Sequence, residues 1–379
     1  MPSSSLIPDD PSVLFTTAGM QQFKLYYTNP EKAPAKNIVS IQKCLRTSDI
    51  DQVGDESHLT FFEMLGNFSF GGYGKKEAIE YAHEFITKEL GLKIDYVSVF
   101  GGDGNISADE ESEKIWESID PGLEVKKAGK ADNFWGPTGL EGPCGPTTEI
   151  YVNGVEIWNI VFNEYYCLAD KSYKKLERLG VDTGMGLERL AVAVQGKNNF
   201  FQTDLFSSLL EKLNSTSFSD RIKRIAADHS RAITFLVSDG VRPSNKDQGY
   251  VLRRLIRRVI TYGYQENIER PPEEIFRAVV SEYSSIYPNL DYFKTLEVYS
   301  EELRKFIKSV GAGLKELERL ESVDAKTAFR LYESFGLPYE IIKESAGLKA
   351  QELNRDDFDE EFKKHQALSR SGISDKFSK

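Results

Sequence analysis

Two arginines of this sequence stand in settings where a guanidinium group could bind phosphate. Arg46 precedes an aromatic run, TFFEMLGNFSF (60–70), and Arg189 directly follows the string VDTGMGLE (181–188). The planar guanidinium donates two parallel hydrogen bonds to phosphate oxygens, and an aromatic ring such as that of Phe62 can stack on a purine base. Taken singly, each arginine would more often form an ordinary surface ion pair. The sequence around each arginine therefore has to indicate whether it binds phosphate.

Glycine-rich phosphate loops are absent from the sequence. The string nearest to a Walker A loop, SFGGYGKK (69–76), lacks its first glycine and its final serine or threonine. Gly184 and Gly186 lack the third glycine and the βαβ setting of a dinucleotide fingerprint. Any bound phosphates must therefore be held by side chains.

The charge of the chain is unevenly distributed. The 379 residues carry a formal net charge of -11, which by itself argues against a nucleic-acid partner. The segment between Arg221 and Tyr264, however, contains ten basic residues and three acidic residues. Such a segment in an acidic protein can dock a phosphate backbone, or it can be a solvated basic helix that balances acidic neighbours.

Composition excludes several classes of protein. Hydrophobic residues make up 40% of the chain, enough for packed cores, and no apolar stretch approaches the roughly 18 residues of a membrane span. The N-terminus lacks the pattern of a secretory signal. Three cysteines without CxxC spacing and four widely separated histidines predict neither a disulfide framework nor a zinc site. We therefore expect a cytoplasmic protein with reduced thiols and no membrane partner.

Periodicity predicts a strand-rich half followed by a helical half. The strands predicted from alternation are Asn37–Gln42, His58–Leu65, Tyr96–Phe100, Thr148–Val152, Glu156–Asn163 and Gly180–Gly184, with helices at Lys75–Leu90 and Leu187–Gln195. Later predicted helices are Arg221–Ser238, Gly249–Tyr264, Pro272–Ser284, Leu290–Leu320, Ala325–Phe335 and Arg355–Leu368. Consecutive strands without a helix between each pair favour an α+β fold with an antiparallel sheet. We predict domains at 1–198 and 199–369 and a polar tail at 370–379.

Eight strings, in order, carry a resemblance to a known family. They are SSSLIP (3–8), LFTTAGMQQF (14–23), CLR (44–46), TFFEMLGNFSFGGY (60–73), DNFWGPTGLEGPCGPTTE (132–149), EIWNIVFNEY (156–165), VDTGMGLERL (181–190) and GVRPSNKDQGYVLRRLIRRV (240–259). Together they strongly resemble alanyl-tRNA synthetases over about nine-tenths of the chain. The resemblance implies a class II catalytic domain, built on an antiparallel sheet flanked by helices, followed by an all-α tRNA-recognition domain.

The resemblance implies a ligase that uses ATP and Mg²⁺ to join L-alanine to tRNA-Ala in two steps. Arg46 matches the motif-2 arginine that bridges the α-phosphate and the amino-acid carboxylate, and Arg189 matches the motif-3 arginine that clamps the far phosphates. Phe62 would stack on adenine and Met64 would line the junction of the two substrates. Asp182 would receive the ammonium group of alanine, a charge-assisted pairing.

The family's methyl-sized pocket maps onto four further residues. Trp135, Asn159, Val161 and Gly184 would enclose the alanine side chain, although core packing alone would explain Trp135 and Val161. Glu156 is a candidate Mg²⁺ ligand, against the alternative of a solvated glutamate at a strand edge.

The resemblance also gives the basic segment a role in tRNA binding. Asn245 matches the residue that reads the acceptor-stem G·U pair, and the arginines at helical spacing would contact phosphates: Arg253, Arg254, Arg257 and Arg258. The second reader of the family falls in the string LYESFGLP (331–338), where Glu333 replaces the usual aspartate.

Family members usually continue into an editing domain and a dimerising module. The histidines here cannot form the editing metal site, so we expect a monomer without editing in cis. Either a separate editing factor acts in trans or errors are tolerated. Two other hypotheses stay open from the sequence. A synthetase-like paralogue could load alanine onto a carrier, but it would not need Asn245. A non-catalytic tRNA-binding module would not need Arg46, Asp182 and Arg189.

Overall fold

The computed structural model describes residues 1–268 and 273–374, which divide into two compact units. The first unit is Met1–Ser208 and the second begins at Leu209. This division falls after the boundary predicted at residue 198. The start of the helix predicted at Pro272 and the end of the predicted polar tail (375–379) lie outside the described residues.

The first unit is built on an eight-stranded sheet. Its strands are β1 (Asn37–Leu45), β2 (Phe61–Phe70), β3 (Tyr96–Phe100), β4 (Glu124–Ala128), β5 (Phe134–Trp135), β6 (Gly142–Val152), β7 (Val155–Cys167) and β8 (Tyr173–Gly186). Their order is β1-β2-β8-β7-β6-β3-β4, with β5 paired to β6. Every pairing is antiparallel except β3 with β4, which is parallel. The α+β class is therefore confirmed, and the sheet is mixed at one edge because a helix connects β3 to β4.

Four helices accompany this sheet: α1 (Lys75–Glu84), α2 (Glu110–Ile119), α3 (Lys130–Asn133) and α4 (Leu187–Val194). A fifth helix, α5 (Asp204–Leu213), spans the point at which the chain divides. α1 continues as a π-helical turn, Phe85–Glu89. Short 3₁₀ segments cover Gly19–Tyr27, Pro30–Lys32 and Phe200–Gln202. The sequence analysis missed α2, in which five of the ten residues are charged. The side chain of Trp116 on α2 is fully buried. Its Nε1 donates to Thr148 Oγ1 at 2.9 Å and anchors the helix to β6.

Alternation along β7 and β8 separates a core face from an opposite face. Ile160 and Phe162 of β7 and Val181 and Met185 of β8 belong to one buried apolar cluster, together with side chains of α1 and α2. The residues between them point the other way because successive side chains of a strand alternate. The sheet therefore has one face for the hydrophobic core and one face available for chemistry.

The second unit is helical: α6 (Asp220–Ser238), α7 (Asp247–Gln265), α8 (Glu273–Tyr283), α9 (Tyr292–Arg319), α10 (Ala325–Phe335), α11 (Tyr339–Ala346) and α12 (Arg355–Ser374). Ser219, Asp291 and Asp324 cap the starts of α6, α9 and α10 by accepting a backbone N–H. Gly336, with φ of 74°, ends α10 in the left-handed region. α11 was not predicted, and α12 runs past the predicted end at residue 368 because no proline interrupts it. None of the described helices combines the length and apolar character needed to cross a bilayer.

Candidate active site

A cavity of about 430 Å³ lies on the open face of the sheet. All ten residues that the sequence singled out in the first unit contribute to its wall: Arg46, Phe62, Met64, Trp135, Glu156, Asn159, Val161, Asp182, Gly184 and Arg189. They come from segments spread over more than 140 positions of the chain. The fold therefore brings the predicted site residues into one cavity, while the role of each stays a prediction.

The register of the sheet explains this convergence. Asn159 is paired with Gly184 and Val161 with Asp182 across β7 and β8, so these four lie side by side on the open face. Met64 of β2 is paired with Gly186 at the end of β8. A side chain at position 184 would be obstructed, because a Cβ there would lie 2.8 Å from Met64 Sδ.

The two predicted phosphate-binding arginines are held differently. The guanidinium carbon of Arg46 lies 4.9 Å from the centre of the Phe62 ring, and its Nε lies 3.4 Å from the carbonyl oxygen of Thr17. Arg189, in the first turn of α4, donates from Nη1 to the carboxylate of Glu156 at 2.8 Å and to the Glu156 carbonyl at 2.9 Å. Arg46 thus lines the cavity without an ion pair to a carboxylate among the described residues, whereas Arg189 is oriented by the carboxylate of Glu156.

Asp182 is the most perturbed acid of the cavity. It is 4% exposed, and burial alone raises the pKa of its carboxyl group to about 8. A buried carboxylate is costly unless a cation pairs with it. The site is therefore prepared to accept a positively charged group from a ligand.

The sequence analysis missed several polar residues of the cavity wall, among them Asp132, Glu149 and Glu188. Glu149 Oε1 accepts from Asn159 Nδ2 at 3.0 Å, and its Oε2 accepts from the Tyr151 hydroxyl at 2.7 Å. Burial raises the pKa of Glu149, and the charge of Glu156 raises it further. Glu149 ends the string GPCGPTTE, directly after two threonines. This polar end of the string was the sequence feature that could have indicated a site residue.

Comparison with known proteins agrees with this geometry. The family model described as "tRNA synthetases class II (A)" matches residues 1–155 and 152–378. The alanine–tRNA ligase of Treponema pallidum is 41% identical over 97% of this chain and 68% of its own length, and that of Borreliella afzelii is 41% identical over 97% and 69%. The chain belongs to the alanine–tRNA ligase family.

The chain spans about half the length of other family members. It covers 47% of the alanine–tRNA ligase of Dehalococcoides mccartyi strain BAV1, with 40% identity over 99% of this chain. Among solved structures, apo histidyl-tRNA synthetase of S. aureus is similar with a TM-score of 0.31 and 12% identity, covering 49% of this chain and 53% of that chain. A likeness of that size adds no argument.

This ligase family uses Mg²⁺ with ATP. The cavity offers suitable oxygen ligands for Mg²⁺, but fewer than the ion needs. Glu149 and Glu156 both line the cavity, and Mg²⁺ is often held by one or two carboxylates together with substrate phosphates. The described residues contain no group of three or more acidic, histidine or cysteine side chains that could hold a metal alone. The two carboxylates would fit an ion that arrives with a nucleotide. The role of Glu156 as a Mg²⁺ ligand stays a prediction, and Arg189 contacts one of its oxygens.

In the helical unit, each of the four arginines predicted to contact tRNA phosphates has a carboxylate partner. Arg254 is 8% exposed and donates to Glu340, and Arg258 is fully buried and lies 3.2 Å from the carboxylate of Glu344. Arg253 and Arg257 are partly exposed, and both approach the carboxylate of Glu302, at 3.4 and 2.6 Å. The burial of Arg254 and Arg258 argues against phosphate contacts by these two, whereas the predicted contacts of Arg253 and Arg257 remain predictions.

Two exposed basic residues instead flank Asn245. Arg242 and Lys246 are exposed, as is Asn245 itself, and no ion pair of either side chain is found within residues 1–268 and 273–374. Glu333, the predicted second reader, lies 2.7 Å from His365 Nε2, with both side chains about half exposed. The predicted role of Glu333 therefore remains a prediction.

Proposed function

We propose that this chain activates L-alanine with ATP and transfers it to the 3′ end of tRNA-Ala. The observation that carries the proposal is the cavity. It joins a buried carboxylate, Asp182, which pairs with no cation among the described residues, to two guanidinium groups, Arg46 and Arg189. An α-amino acid and a nucleoside triphosphate present the complementary charges. Membership in the alanine–tRNA ligase family supports alanine as the amino acid and tRNA-Ala as the acceptor.

In the first step, a carboxylate oxygen of alanine bonds to the α-phosphorus of ATP. The bond from that phosphorus to the bridging oxygen breaks, and pyrophosphate leaves with the electron pair. Arg46 stabilises the charge that develops on the α-phosphate, and Arg189 holds the leaving phosphates. Phe62 stacks on the adenine, and Asp182 fixes the ammonium group, so that the reacting atoms are aligned.

When bound, Mg²⁺ supplies positive charge to the phosphates beside Glu156. In the second step, a hydroxyl oxygen of the terminal ribose bonds to the carbonyl carbon of alanine. The bond from that carbon to the phosphate oxygen breaks, and AMP leaves with the electron pair, while its phosphate takes up the proton of the hydroxyl group. The residues that held the carboxylate in the first step also hold the carbonyl in the second.

The size of the amino-acid pocket leads to a prediction about Gly184. In Gly184→Ala, the added Cβ meets Met64 Sδ at 2.8 Å beside the space proposed for the alanine methyl group. We expect kcat/KM for alanine in pyrophosphate exchange to fall roughly ten- to two-hundredfold. The value for glycine should fall less, because glycine has no methyl group to displace.

Gly129→Ala is the matched control for this prediction, since a Cβ at residue 129 meets nothing within 4 Å. Its kinetic constants should equal those of the parent. An equal loss for alanine and glycine in Gly184→Ala would instead show that residue 184 supports the sheet without setting the pocket size.

The exposed pair Arg242 and Lys246 leads to a prediction about tRNA binding. Each of Arg242→Gln and Lys246→Gln should raise KM for tRNA whichever base pair the acceptor stem carries, because phosphate contacts bear no sequence information. Each should also flatten the salt dependence of tRNA binding by roughly one counterion. Filter binding at several salt concentrations measures both. A variant whose salt dependence equals that of the parent would remove that residue from the interface.

The function itself is tested by alanylation of a tRNA-Ala transcript by the purified chain, beside a transcript whose acceptor-stem G·U pair is changed to G·C. Charging of the first alone is the expected result. If neither is charged, pyrophosphate exchange with alanine separates the two steps. Exchange without transfer would restrict the chain to amino-acid activation, and no exchange would overturn the proposal.

A further inference from the structure

The side chain of Asn245 is held by a residue that the sequence assigned to phosphate contact. Asn245 lies just before the start of α7, and its Oδ1 accepts a hydrogen bond from Nη1 of Arg253, eight residues further along. The other terminal nitrogen of Arg253, Nη2, lies 3.4 Å from the carbonyl oxygen of Pro243. One guanidinium group therefore contacts both the side chain of Asn245 and the backbone of its loop.

Arg253 is in turn placed by a buried carboxylate. Its Nε lies 3.4 Å from Oε1 of Glu302 on α9, a residue that is 2% exposed. The same oxygen accepts from Nε of Arg257 at 2.6 Å, and Arg257 also donates to the carbonyl of Gly336 at 3.1 Å. Glu302 thus holds two arginines one helical turn apart, and only one of them reaches Asn245.

This contact determines which end of the Asn245 amide faces the solvent. A guanidinium group has donors and no acceptor, so the amide atom that faces it must be the oxygen. The amide nitrogen then points away, and it donates to no side chain or carbonyl group among the described residues. Asn245 consequently presents two N–H donors at the surface.

We propose that Arg253, held by Glu302, is a positioning residue that fixes the Asn245 amide as a donor toward the acceptor stem. The proposal rests on the function proposed above for Asn245. Uracil presents the O4 acceptor where cytosine presents an amino donor. An amide held as a donor can therefore hydrogen-bond to uracil O4 and favours a pair that contains uracil. When cytosine replaces uracil, the amide N–H faces the cytosine amino group, and two donors cannot form that hydrogen bond.

The test compares two variants of α7 that each lose one partner of Glu302. Arg253→Met and Arg257→Met remove the same charge, and both are assayed in the full chain after each is shown to exchange pyrophosphate with alanine. The readout is the ratio of kcat/KM for the G·U transcript to that for the G·C transcript. We expect Arg253→Met to lower this ratio by roughly tenfold or more, since a good base contact provides about that discrimination.

Arg257→Met should keep the ratio, whatever it does to stability, because Arg257 does not contact Asn245. Arg253→Lys should keep most of the ratio, since an ammonium group also donates to Oδ1. Equal losses in Arg253→Met and Arg257→Met would mean that the pair merely supports the fold, and the inference would be overturned.

A double variant separates this inference from the proposed function. If Arg253 acts through Asn245, Arg253→Met should lower the ratio no further in a chain that already carries Asn245→Ala. A further loss there, or an unchanged ratio in Arg253→Met while Asn245→Ala lowers it, overturns the inference alone. An unchanged ratio in Asn245→Ala overturns the reading role proposed for Asn245, and the inference with it.

Discussion

Replacing Asp182 by asparagine should abolish most alanine activation and at the same time stabilise the fold. The carboxylate is the proposed partner of the substrate ammonium group, and the loss of one partner of a buried charge pair costs about 2–5 kcal/mol. We therefore expect kcat/KM for alanine in pyrophosphate exchange to fall about a hundredfold or more. A variant that kept the parental value would contradict the assignment of the ammonium site.

The stabilising effect follows from the pKa of Asp182. The pKa is about 8 in the fold and 3.8 in its absence, so the folded chain binds this proton more tightly. As pH rises from 4 to 8, ionisation of Asp182 lowers the free energy of the unfolded chain, whereas in the folded chain the group stays protonated. The free energy of unfolding therefore falls over that pH range. Asparagine does not titrate, so the variant should exceed the parent by about 0.5–2 kcal/mol at pH 8, with the difference vanishing toward pH 4.

Urea denaturation of both chains at pH 5 and pH 8 measures this difference. Asp170→Asn is the control, because Asp170 is an exposed turn residue that accepts from Ser172. It should leave alanine activation at the parental value. Hydrogen bonds from Ser172 lower the pKa of Asp170, so this side chain is ionised at both pH values, and its replacement should change stability by the same amount at pH 5 and pH 8. For the parent chain, the same pKa predicts that KM for alanine falls severalfold between pH 6 and pH 8, as Asp182 becomes ionised.

Replacing Arg46 by glutamine should give the second large effect, on kcat for alanyl-adenylate formation. Its guanidinium carbon lies 4.9 Å from the Phe62 ring centre, so the group is preoriented in the cavity. Loss of one preorganised donor to developing charge costs roughly a hundred- to a thousandfold in kcat. KM for ATP should change much less, because the contact strengthens mainly in the transition state.

Pyrophosphate exchange at saturating ATP and alanine measures this loss. Arg46→Lys should recover only part of it, since an ammonium group keeps the charge but not the two parallel donors. Arg178→Gln, on the exposed surface of β8, removes the same charge and should leave kcat at the parental value. A rise in KM for ATP with kcat preserved would assign Arg46 to ground-state binding alone.

Local patterns were sufficient to predict most strands and helices of both units. Alternating side chains marked the central strands β7 and β8, and the 3.6-residue period marked α6, α7 and α9. The helices that were missed are α2, α3, α5 and α11. Each has ten residues or fewer, so the 3.6-residue period of apolar side chains repeats too few times to mark it. The parallel pairing of β3 with β4 could not be read either, because strand order depends on contacts between distant segments.

The sequence by itself determined the residue types of the site and, through eight ordered strings, the family to which the chain is similar. Only the tertiary structure decided which of those residues share a surface. It placed ten of them around one cavity because register joins β2, β7 and β8. It also buried Arg254 against the carboxylate of Glu340 and Arg258 beside Glu344, although their spacing is also that of a solvated basic helix. Periodicity states which residues share a helix face, but what covers that face is set by segments far away in the chain.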